Sequence, residues 1–132
     1  MFQKPYRVFK FGGSSVGAPE RIARVIELVA SEQAKDESPI AIVVSAMGDT
    51  TDWLIEAAHL AAAGDGEAAD RVADRITDLA RTNANAVLNQ LVEKHSPKTV
   101  PDVDATITEV LAPLREVLHG VSLLRQCTDQ TM

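Results

Sequence analysis

The chain has 132 residues, 45% of them apolar, and a formal net charge of −6 from 13 basic and 19 acidic side chains. This is enough apolar material for one domain with its own core, and an acidic balance without a Lys/Arg-rich block argues against nucleic acid as a partner. A single cysteine, Cys127, excludes an internal disulfide framework and a paired-thiolate metal site, and His59, His95 and His119 lie too far apart for ligand spacing.

Residues 1–5 read as a loose lead-in without a signal-peptide core. No apolar run reaches the roughly 20 residues of a membrane span, so the expected compartment is the cytoplasm. Tyr6 to Phe11 is β-rich and nearly continuous in apolar character, which predicts a strand buried on both faces. It carries a lone lysine, Lys10, and breaks into Gly12-Gly13-Ser14-Ser15-Val16. Paired glycines let a backbone approach closely, and unpaired N–H groups at a following helix start favour anions. Lys10 at the strand end adds a point charge where phosphate oxygens gather. The spacing is neither a Walker A loop nor G-x-G-x-x-G, and on physical grounds alone a plain turn is an equal alternative.

A helix is predicted from Pro19, which suits a first helical position. Glu20 complements its dipole, and Ile22, Val25, Ile26 and Val29 form one apolar stripe. The polar segment Gln33 to Pro39 ends it, and Ile40-Ala41-Ile42-Val43-Val44 is a second, wholly apolar strand. Strand, helix and strand at this spacing make a βαβ unit with parallel strands. Ligands on such sheets bind beyond the carboxyl ends of the strands. Both the glycine turn and the next loop, Ser45-Ala46-Met47-Gly48-Asp49-Thr50-Thr51-Asp52, lie there. That loop is also expected to cap a helix through Thr50, Thr51 or Asp52, with Asp49 a solvated turn residue.

The remainder is helical. A helix is expected from Trp53 to Ala63, stopped at Gly64-Asp65-Gly66, and a long one from Glu67 to about His95, weakened at Thr82-Asn83-Ala84-Asn85 and ended by Ser96-Pro97-Lys98. Ile107, Val110, Leu111, Leu114, Val117, Leu118 and Val121 give a further stripe, read as core, with Pro113 expected to kink it. Cys127 to Met132 reads as a cap entering another helix.

Lys10-Phe11-Gly12-Gly13-Ser14-Ser15-Val16 resembles the N-terminal signature of the aspartate kinases within the amino acid kinase family. Ser45-Ala46 followed by Thr51-Asp52 is similar to their Ser-Ala…Thr-Asn segment, with Asp52 a departure from the usual Asn. Leu118 to Asp129 resembles the bifunctional aspartate kinase–homoserine dehydrogenases and related kinases. The resemblance implies an α/β fold, an αβα sandwich of the amino acid kinase type. Residues 1–132 would be its truncated N-terminal part, without the nucleotide lobe and a substrate glutamate. It further implies transfer of the ATP γ-phosphoryl group to the side-chain carboxylate of L-aspartate, with Mg2+ accompanying ATP and a homo-oligomeric full-length enzyme. Lys10 would stabilise the transferring group as the catalytic residue. Gly12 and Gly13, assisted by Ser14 and Ser15, would cradle phosphate oxygens, and Ser45 and Thr51 would hold aspartate. The isolated chain is expected to be inactive. The rival readings are another amino acid kinase acting on a different carboxylate and a non-catalytic remnant or interaction module.

Overall fold

A computed structural model describes residues 6–96 and 99–129. Strand β1 (Arg7–Phe11) and strand β2 (Ile40–Val44) pair in parallel, Arg7 opposite Ile40 through to Phe11 opposite Val44. Between them run a single helical turn, α1 (Gly13–Val16), and helix α2 (Pro19–Gln33). After β2 come α3 (Thr50–Ala62), α4 (Gly66–His95) and α5 (Val103–Asp129). The expected α/β class is what is found. Contacts divide the described residues into two units, one of residues 6–48 and 86–96 and the other of residues 49–85 and 99–129.

In the first unit the exposure of β1 alternates as the strand period requires, whereas β2 is exposed at every residue after Ile40. Arg7, Phe9 and Phe11 are half-buried, and the rings of Phe9 and Phe11 stack with centroids 6.4 Å apart. Arg7 binds α2 through the Glu32 carboxylate at 3.3 Å and the Glu32 carbonyl at 2.9 Å. The other face is open: Val8 is 66% exposed, and Val43, on the same face of β2 opposite Lys10, 50%. Burial of β1 on both faces is therefore not observed, because only one side of this two-stranded sheet meets a helix. Residues 86–95 of α4 also belong to this unit, and Lys94 donates to the Glu27 carboxylate on α2 at 2.5 Å, with His95 3.8 Å away. The Lys94 hydrogen bond holds the Glu27 carboxyl below the usual carboxylate range.

The second unit is built on small side chains. Ala57 and Ala61 of α3 are fully buried against Ala69, Val72 and Ala73 of α4 and Leu118 of α5, with Trp53, Leu60 and Leu114 packed around them. Alanine at these positions lets helices approach closely without voids. Arg75 lies 4.5 Å over the Trp53 ring. Gly64 ends α3 at φ 87°, where a side chain would be strained, while the Gly64 and Asp65 amides donate back to Ala61 and Leu60. Ser122 and Gln126 of α5 both donate to the Gly64 carbonyl, at 3.1 and 2.8 Å.

Several boundaries differ from the sequence expectation. Helix α4 runs unbroken through Thr82–Asn85, with Asn83 buried, because packing outweighs weak local propensity. It ends at His95, and Ser96 takes φ 45°; Pro97 and Lys98, expected to end it, lie outside the described residues, as do residues 1–5. Helix α5 continues through Pro113 and takes in Cys127 to Asp129, so these residues do not open a new helix. Its stripe is only partly core: Leu118 is buried, whereas Val110 and Val117 are exposed. The apolar arc on α5 is wider than the surface that α3 and α4 offer it.

Candidate active site

Lys10 sits one residue before the end of β1, opposite Val43, on the open face of the sheet. Its side chain is exposed, and among the described residues no hydrogen bond or ion pair engages it. An ammonium on an apolar strand, left uncommitted at the carboxyl end, is free to meet an anion. Ladder bonding continues past β2, where the Ser45 amide donates to the Phe11 carbonyl at 3.0 Å. This puts Ser45 beside the glycine turn, and a Cβ placed on Gly13 would stand 3.8 Å from the Ser45 hydroxyl oxygen. A Cβ on Gly12 would meet nothing within 4 Å. The glycine backbone is thus uncovered, which fits the close approach of phosphate oxygens.

The turn itself is not simply a loop running into α2. Gly12 is extended, Ser15 donates to the Gly12 carbonyl at 2.8 Å, and Gly13 to Val16 form α1 before the chain reverses at Gly17. A Cβ on Gly17 would lie 3.0 Å from the Gly13 carbonyl oxygen, so the turn closes against its own backbone there. Val16 is buried beneath it, Ser15 is half-buried, and Ser14 is exposed. From α2, Arg21 donates to the Ser14 carbonyl at 2.7 Å. A cleft of about 470 Å³ opens beside this contact, walled by Phe11, Val25 and Leu28 as well as the two serines.

The second loop turns at Gly48, with φ 49°. Helix α3 then begins at Thr50 with Asp49 at its cap, and the Asp49 side chain makes no capping hydrogen bond. The expected caps Thr50, Thr51 and Asp52 therefore fall inside the first turn instead. Thr51 is exposed in that turn and belongs to the second unit, whereas Lys10, Gly12, Gly13, Ser14, Ser15 and Ser45 all belong to the first. Among the described residues no group of three or more His, Cys, Asp or Glu could hold a metal ion, and no helix is long and apolar enough to cross a membrane.

The model of the amino acid kinase family matches residues 5–119, a span that includes both loops. The chain belongs to the amino acid kinase family. It is similar to an aspartokinase of Mycolicibacterium smegmatis, 52% identical over 52 residues, which cover 39% of this chain and 12% of that protein. It is also similar to the chloroplastic aspartokinase 2 of Arabidopsis thaliana, 34% identical over 125 residues, or 94% of this chain and 20% of that one. An aspartokinase of Chlamydia trachomatis serovar D is 35% identical over 74 residues, covering 56% of this chain and 16% of that one. The chain spans about an eighth to a fifth of the length of the curated relatives it matches.

Proposed function

We propose that this chain carries the phosphate-binding and aspartate-binding loops of an aspartate kinase, which moves the ATP γ-phosphoryl group to the side-chain carboxylate of L-aspartate. The observation that carries the reading is the convergence of an uncommitted Lys10, the bare Gly12–Gly13 backbone and Ser45 at the carboxyl ends of two parallel strands. Membership of the amino acid kinase family and likeness to aspartokinases support it.

In this reading Lys10 faces the transferring group and offsets the charge that spreads over its oxygens. The amides of Gly12 and Gly13 point at the same oxygens, with the Ser14 and Ser15 hydroxyls assisting. Ser45 and Thr51 hold aspartate through their hydroxyls. A carboxylate acceptor is already ionised at neutral pH, so no general base is required. Phosphoryl transfer then depends on positioning and charge rather than covalent help. The Mg2+ that accompanies ATP would arrive with the nucleotide phosphates. The reaction is proposed for a cytoplasmic, homo-oligomeric full-length enzyme, and residues 1–132 alone are expected to give no turnover.

The test offers the full-length protein aspartate, glutamate and acetylglutamate with ATP and traps acyl phosphate as hydroxamate. Aspartate-dependent product supports the reading. Product from another carboxylate alone assigns a different kinase of the family, and product from none overturns kinase function.

A further inference from the structure

We propose that Arg21 is the positioning residue of the glycine–serine turn, acting by capping the Ser14 carbonyl; this deepens the kinase reading above and rests on it. A four-residue helix cannot hold itself, since nucleation is costly and the carbonyls of its last turn have no intrahelical partners. The Arg21 guanidinium supplies one such partner, donating to the Ser14 oxygen at 2.7 Å. The bond is charge-assisted, and it places a cation at the negative end of α1.

Arg21 stands in the first turn of α2, next to Pro19 and Glu20. A cation there is opposed by the dipole of its own helix. Its position is therefore not explained by α2 and is explained by the carbonyl it reaches seven residues upstream. Among the described residues its side chain makes no other hydrogen bond or ion pair. The backbone of Arg21 is itself fixed, because its amide and that of Ile22 both donate to the Ala18 carbonyl. The contact thus ties the orientation of the α1 turn, with its glycine amides and serine hydroxyls, to the start of α2. Gly17 leaves no slack between them, given the 3.0 Å approach of a Cβ there to the Gly13 oxygen.

The experiment uses Arg21→Met and Arg21→Lys in the full-length protein. Arg21 is exposed, so neither variant threatens folding. In Arg21→Met, amide exchange across residues 13–17 should rise by roughly 10-fold while peptides from α3 to α5 stay unchanged. The KM for ATP should rise by about 5- to 20-fold, with the KM for aspartate within about twofold of wild type. Arg21→Lys, which keeps one cationic donor, should recover most of both effects. Unchanged exchange in Arg21→Met overturns the proposal, as does an equal rise of both Michaelis constants. A wild-type protein without aspartate-dependent phosphoryl transfer would refute the kinase reading, and exchange alone would then decide the role of Arg21.

Discussion

The Ser45 amide donates to the Phe11 carbonyl, carrying the parallel ladder one residue beyond β2 and bringing the second loop against the Gly12–Gly13 turn. That contact makes Gly13→Ala informative. The added methyl meets the Ser45 hydroxyl oxygen at 3.8 Å, an ordinary contact, and alanine is the better helix former by about 0.5–1 kcal/mol. Thermal unfolding should show unchanged or slightly raised stability, while the KM for ATP rises because the methyl occupies space that phosphate oxygens need. Unaltered ATP kinetics would remove Gly13 from the cradle.

Thr51→Val keeps the side-chain shape and deletes one hydroxyl. If that hydroxyl binds aspartate, the ligand group left unpaired costs roughly 1–3 kcal/mol. The KM for aspartate should rise well above any change for ATP in steady-state kinetics. A selective effect on ATP would reassign Thr51.

The Glu27–Lys94 contact has a definite pH signature. The Glu27 carboxyl is held below its ordinary value by the Lys94 hydrogen bond, aided by the charges of Lys94, Arg24 and His95 and opposed by partial burial. A depressed folded pKa contributes stability above the unfolded value, near pH 4.3, and loses it as pH falls through the folded value. Wild type should therefore be more stable than Glu27→Gln at neutral pH, and the gap should close on acidification below about pH 4. Denaturant melts of both proteins across pH 3–7 measure this, and a gap independent of pH would contradict it.

Ala61 tests the packing of the second unit. It is fully buried within the alanine cluster of α3 and α4, leaving no space for a larger side chain. Ala61→Leu should cost about 1–3 kcal/mol by overpacking, read from the denaturation midpoint. A neutral result would mean that the helices separate more readily than this packing indicates.

Continuous apolar runs and clean helical periods were legible from sequence. Both strands, α2 and the start and end of α4 lie within a residue or so of where the pattern puts them. Helix α1 was not legible, because Gly13-Ser14-Ser15-Val16 has no helical preference and is held by a side chain seven positions downstream of Ser14. An available signal was the misfit of Arg21, a cation in the first turn of α2. The capping of α3 was misplaced because three residues with capping side chains follow one another, and the helix already begins at the first of them, with Asp49 at the cap position. The α5 stripe showed which residues are apolar but not how much of that face its neighbours cover. Of the candidate site residues, Lys10, Gly12 and Gly13 stand out in the chain pattern and Ser45 in the family resemblance, and all four lie in one unit, whereas the contact of Arg21 with the turn comes only from structure.

The most direct measurement is turnover and thermal stability of Lys10→Met in the full-length enzyme. Methionine keeps much of the apolar stem and removes the charge. Lys10 is exposed and uncommitted among the described residues, so the melting temperature should stay the same or rise slightly. One preorganised electrostatic contact is worth about 3–4 kcal/mol in a transition state, so turnover should fall by at least ~10²-fold. Near-normal turnover, with or without a lower melting temperature, would contradict the assignment of Lys10 to the transferring phosphoryl group.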